Sequence, residues 1–167
     1  MKKQFFCRAL IAALFLVFAV SISGCALSAP QEKEFSKDGM TITLTNQFTE
    51  KEYVTQTVMY ESKDSIVTAL KESFSTLEDA GLRSDITPEK YAELVITNNM
   101  LENCQVQNKD GTTCFQYDRT VDGKEFSYLA TVHKAPDAFW LIQFACLADD
   151  YSEKEPQFME WAKTVKV

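Results

Sequence analysis

A single histidine among 167 residues removes several chemistries at once. Reactive histidines need an orienting partner and a nucleophile, and His133 has no nucleophile elbow, phosphate loop or zincin-type helix to accompany it. It lies on the strand phase of Leu129 and Thr131, opposite Phe126, Tyr128 and Val132, and receives no role. No C-x-x-C pair is present, which argues against a thiol redox enzyme. After Cys25 no stretch approaches the roughly 20 consecutive apolar residues of a spanning helix. The expectation is a protein without catalytic residues, cofactor or metal centre.

Positive charge is also scarce. All 24 acidic residues follow Cys25, whereas three of the 17 basic ones, Lys2, Lys3 and Arg8, precede it, so the chain from Cys25 onward carries a net charge of −10. That argues against nucleic acid as a partner, and such a domain is repelled from an anionic membrane surface.

What is present is an address. The cationic start, the apolar run Ala9 to Val20 and Ile22-Ser23-Gly24-Cys25 have the three parts of an export signal. The last four residues resemble the lipobox of bacterial lipoproteins, which implies a diacylglyceryl thioether on Cys25 and cleavage before it. Two acyl chains suffice for stable attachment, at about 0.8 kcal/mol per buried methylene. The expected organisation is a signal peptide over 1–24, a lipidated N-terminus and flexible tether over 25–34, and one domain over 35–167. A tether of about nine residues has a mean reach of roughly 15 to 18 Å. The domain should therefore stand on the outer side of the plasma membrane, or at the outer membrane of a two-membrane host.

Along the domain, Met40-Thr41-Ile42-Thr43-Leu44 alternates as a half-buried strand after the Asp38-Gly39 turn. A second strand is expected through Tyr53 to Tyr60. Ser65 to Phe74 fits helix or strand and is read as strand, followed by a helical turn at Thr76 to Ala80 that ends at Gly81. Thr87-Pro88-Glu89 opens a helix with a hydroxyl cap, proline at the first position and an acid in the first turn. Tyr91, Leu94, Val95 and Asn98 mark its face. Three strands follow, punctuated by Asp110-Gly111 and Asp122-Gly123, whose residues tolerate the positive φ of tight hairpins. Phe139 to Leu147 is apolar on both faces and should be a central, doubly covered strand. Gln143, its one polar exception, is read as an internally paired amide. Pro156 opens a last helix with Phe158, Trp161, Ala162 and Val165 on one face.

The acidic residues Asp149, Asp150, Glu153 and Glu155 do not match a calcium loop and are read as a solvated turn, as are Asp118, Asp122 and Glu125. Outside the cytoplasm thiols tend to pair, and the domain retains Cys104, Cys114 and Cys146. Two pairings are open. Cys104 with Cys114 would close a small loop, worth about 2 to 3 kcal/mol in the chain-entropy model, and Cys104 with Cys146 is the other.

Phe35, Gly39 to Leu44 with Phe48, the Tyr91-Ala92 helix, Asp137 to Phe144 and the closing Phe158-x-x-Trp161-Ala162-Lys163-Thr164-Val165-Lys166-Val167 resemble the PsbP/Mog superfamily, especially its DcrB-like bacterial lipoproteins. The resemblance implies an α+β fold, an antiparallel sheet sandwiched by helices, used as a non-catalytic binding or accessory module. Its motifs are core and turn residues, so they speak for architecture and not for activity. The expected function is a lipid-anchored, extracytoplasmic accessory protein of the bacterial envelope, held to the membrane through Cys25 and contacting an envelope protein. The alternative is a small-ligand receptor or enzyme using a cleft between sheet and helix. A closed pocket with convergent polar groups would favour the alternative, an exposed aromatic patch the first reading.

Overall fold

A computed structural model describes residues 29–167 apart from 53–55, 80, 82 and 84. The lipobox, Cys25 and the signal segment lie outside the described residues. A hairpin opens the fold, β1 (Glu32–Lys37) against β2 (Met40–Thr45), turning at Asp38 and Gly39, whose φ values are 52° and 95°. Of the tether expected over 25–34, residues 25–28 lie outside the described residues, and Glu32, Lys33 and Glu34 are strand, paired with Thr45, Leu44 and Thr43. These polar residues read as tether because they lack apolar alternation, which an exposed hairpin strand does not need.

The remaining strands form one antiparallel sheet in the order β3 (Thr49–Lys51), β4 (Val58–Glu61), β5 (Ile66–Ser73), β9 (Ala138–Leu147), β8 (Lys124–Lys134), β7 (Thr112–Val121), β6 (Gln107–Lys109). Of the second expected strand, Tyr53–Tyr60, residues 53–55 lie outside the described residues and β4 runs from Val58 to Glu61. Ile66–Ser73 is a strand, as its period-two reading required, and helix α1 (Phe74–Asp79) follows it. Both Asp-Gly hairpins form, with φ of 51° and 83° at Asp110 and Gly111 and 51° and 76° at Asp122 and Gly123. Two successive positive φ values match the right-handed twist of the flanking strands.

Side chains alternate across the sheet and feed two cores. On one face the hairpin residues Met40, Ile42 and Leu44 meet Trp140, Ile142 and Phe144 of β9 and Phe158, Trp161 and Ala162 of α3 (Tyr151–Lys163). Phe48 stands edge-on to Trp161 at 5.2 Å. Each such large apolar side chain contributes roughly 1.5 to 3 kcal/mol by leaving water. The chain end ties in too: Thr43 N–H donates to Thr164 Oγ1 at 2.9 Å, and Thr41 and Lys166 exchange backbone bonds.

α3 begins five residues before Pro156, not at it. A single 3-10 turn at Ala148–Asp150 feeds the helix, so Asp149, Asp150 and Glu153 stand at its N-terminus, where the helix dipole favours negative charge. The acidic cluster is a helix start, and Glu155 pairs with Lys109.

On the other face α2 (Pro88–Asn98) packs on one end of the sheet. Thr87 Oγ1 accepts from Lys90 N–H at 3.2 Å as its cap. Tyr91 and Ala92 are buried and Val95 and Ile96 pack beside them, whereas Asn98, placed on the buried face by spacing, is exposed.

Candidate functional site

α2 is too short to cover its face of the sheet. It is fixed at the end carrying Phe139, where the Tyr91 ring stacks at 4.5 Å and 12° and Tyr91 Oη donates to Glu72. Burial, and then that carboxylate, hold the Tyr91 phenol well above its ordinary range. Thr113 Oγ1 donates to Glu89 at 2.8 Å and pins the helix N-terminus to β7. The helix ends at Asn98, and an open groove of about 470 Å³ continues along the sheet past Val95 and Asn99.

Strand alternation decides what lines it. β5 presents Ile66, Thr68 and Leu70, all only half-buried, while Val67 and Ala69 on the opposite face are fully buried. β9 adds Gln143 and Ala145, β8 adds Tyr128, and β7 adds Tyr117 and Arg119. Tyr117 and Tyr128 are directly opposite in register and stack at 4.7 Å, 6° from parallel. The Arg119 guanidinium lies 5.8 Å from the Tyr117 ring. Farther out the same face carries Val121 and Leu147, 42% and 44% exposed. β9 is therefore central, but it is covered on both faces only along its first half.

Gln143 is half-buried on the floor of this groove. Thr68 Oγ1 donates to its Oε1 at 3.2 Å, and its Nε2 donates to Tyr117 Oη at 2.7 Å. The amide is internally paired, as read, but to side chains of β5 and β7 rather than to backbone. Burial raises the Tyr117 phenol well above its usual range, so it remains a neutral hydrogen-bonding group.

The histidine and the thiols lie elsewhere. His133 is half-buried on the opposite face, its Nε2 3.1 Å from Thr131 Oγ1, and burial lowers its pKa to about 4. Cys114 packs in the core under α3, whereas Cys104 packs with the α2 cluster on the other side of the sheet. The fold does not bring Cys104 to Cys114. Cys146 lies on the Cys114 side, which separates it from Cys104 as well, and all three thiols are free. Among the described residues no three histidine, cysteine or acidic side chains gather as a metal site, and no helix is long and apolar enough to cross a membrane.

Strand alternation could have revealed the groove floor: Tyr117, Tyr128 and Gln143 occupy the same phase of three adjacent strands. What the alternation lacks is the extent of α2, and so which part of that face stays open.

No family model matches the chain, and no curated protein matches it in sequence. Solved structures do match. The solution structure of cyanobacterial PsbP (CyanoP) from Synechocystis sp. PCC 6803 superposes with a TM-score of 0.52 at 16% identity, over 86% of this chain and 95% of that one. The fold is PsbP-like. A crystal structure from Bacteroides thetaiotaomicron VPI-5482 also matches, with a TM-score of 0.52 at 13% identity, over 82% of this chain and 48% of that one. At these identities the PsbP-like relationship is one of architecture, the antiparallel sheet packed between helices.

Proposed function

We propose that this PsbP-like chain is a lipid-anchored, extracytoplasmic, non-catalytic binding or accessory module of the bacterial envelope, of the DcrB-like kind, and that it works by contact with an envelope protein. The observation that carries the reading is the open groove floored by Tyr117 and Tyr128 beside the end of α2. Half-buried Tyr128, stacked on buried Tyr117, gives a rigid aromatic floor, and tyrosine is enriched where proteins meet. The groove is open along the sheet, which supports contact over an enclosed small-ligand pocket; the Gln143 amide on its floor is already paired with Thr68 and Tyr117, and Gln56 Oε1 in its wall is left without a hydrogen-bond partner. The lipobox supports the anchor, and the processed chain's net charge of −10 supports a domain that stands off the bilayer.

A photoreactive residue at Tyr128, crosslinked in native membranes, tests this reading. A discrete protein adduct that is lost when the photoreactive residue is moved to exposed Glu160 on α3 supports it. Absence of any specific adduct, with a small molecule retained through purification, sinks it.

A further inference from the structure

β7 is ten residues long and its outer neighbour β6 only three. β6 covers Thr112, Thr113 and Cys114, and upstream of Gln107 the chain leaves the strand line as Val106 and Cys104 turn in to pack under α2. From Phe115 onward no strand among the described residues lies along that edge. Two-residue hairpins are closed by a hydrogen-bonded pair, and bonded residues alternate along a strand. Lys109 and Thr112 close the Asp110-Gly111 turn, so even-numbered residues of β7 bond outward. Val121 and Lys124 close the Asp122-Gly123 turn, so odd-numbered residues bond inward to β8. Both turns agree: the N–H and C=O of Gln116, Asp118 and Thr120 point away from the sheet. A polar cleft of about 630 Å³ faces Gln116 and Asp118 and is lined also by Asn99, Met100, Glu102 and Gln105. Met100, at φ 52°, is 85% exposed.

We infer that the outer edge of β7 from Gln116 to Thr120 receives an extended segment of a partner polypeptide, added as a strand where β6 stops. The inference deepens the contact reading above and rests on it. A second copy is a poor occupant. Antiparallel self-pairing must match even residues with even ones, and centring it on Asp118 or Arg119 sets like charges opposite each other, which is destabilising. Centring it on Tyr117 drives Thr120 onto Cys114, where β6 already sits. The fitting segment follows from alternation. Toward the groove it meets Tyr117 and Arg119, and Arg119 makes no ion pair among the described residues, so apolar and acidic side chains suit that side. On the other side it meets Gln116, Asp118 and Thr120, which suits lysine and threonine. Proline is excluded at its bonded positions.

The probe is the peptide Thr-Val-Lys-Glu-Lys-Phe-Thr, added to the full processed chain in detergent and read by amide hydrogen exchange. In the free chain the amides of Gln116, Asp118 and Thr120 exchange fast and those of Phe115, Tyr117 and Arg119 slowly; the peptide slows the first three. N-methylation of alternate peptide amides abolishes the effect in one phase and spares it in the other. Gln116→Pro, which removes an amide the sheet does not use, weakens binding roughly fivefold. Slow exchange of the three amides in the dilute free chain overturns the inference, as does protection that grows with protein concentration alone. No protection at millimolar peptide, or indifference to methylation phase, overturns it equally. Failure here with a persistent Tyr128 crosslink removes only strand addition, whereas loss of both removes the contact reading itself.

Discussion

Gln143 Nε2 donates to Tyr117 Oη at 2.7 Å by reaching diagonally across β8, where small Ala130 lies opposite Gln143 and Tyr128 lies opposite Tyr117. A larger side chain at Ala130 would stand in the path of that bond. Thr68 holds the other end of the amide, so one line of side chains crosses β5, β9 and β7 beneath the groove. The groove floor is thereby fixed before any partner arrives, which limits the entropy lost on contact.

Gln143→Met keeps the volume and removes both bonds. With its floor partner gone, Tyr117 must turn to water, and a neutral half-buried bond of this kind is worth about 1 kcal/mol. Chemical denaturation should show a lower midpoint with an unchanged slope. An unchanged midpoint would mean that the amide line does not hold the floor.

His133 predicts a pH dependence of known sign. Burial lowers its folded pKa from the ordinary 6.5 to about 4, so the unfolded chain binds the proton more readily across that window. The stability that neutral His133 contributes is complete above about pH 6.5 and is lost as pH falls toward about 4. His133→Gln keeps a partner for Thr131 and cannot titrate. Between pH 6.5 and 4 the native chain should lose more stability than the variant, by on the order of 1 to 3 kcal/mol. Parallel pH profiles for the two proteins would refute the assignment.

Much of this fold was legible because its elements are punctuated. The Thr87-Pro88-Glu89 start and the two Asp-Gly hairpins each have one physical reading and form as expected, and the apolar run from Phe139 to Leu147 is the expected central strand, though covered on both faces only along its first half. The failures have local causes. Pro156 signals a helix start only when nothing upstream can nucleate the turn, and here the 3-10 turn at Ala148–Asp150 does so. Gln31 to Glu34 carries no apolar phase, so a strand held by register and by the bond from Gln31 N–H to Asn46 was hidden. The groove was half visible: the shared phase of Tyr117, Tyr128 and Gln143 lies in the sequence, while the point at which α2 stops covering them depends on packing at Tyr91 and Phe139.

The cysteines give a direct check on which face each strand presents. Cys114 and Cys146 are 1% exposed in the core under α3, and Cys104 is half-buried on the α2 side. Burial raises all three thiols, to about 11 at Cys146, so none is a poised nucleophile. Native protein treated with a bulky thiol reagent should label slowly, at Cys104 first, and unfolded protein prepared without reductant should yield three thiols from these positions. Recovery of a peptide linking Cys104 to Cys114 would require the two to share a face, contrary to the sheet described.

The anchor is testable apart from the domain. In the proposed reading Cys25 is the one residue with a defined chemical fate, and that chemistry would belong to processing enzymes rather than to this chain. Cys25→Ser removes the thiolate that would accept the diacylglyceryl group, while the described domain, from Glu32 onward, loses no contact. Metabolic labelling with a lipid precursor should fall to background, and the chain should move from the membrane fraction to the soluble fraction or accumulate unprocessed. The His133 pH profile should be unchanged, which separates loss of the anchor from loss of the fold. An unaltered membrane fraction with no lipid label and with residues 1–24 removed would show that attachment runs through the domain surface, which for an acidic domain points to a membrane protein rather than to anionic lipid.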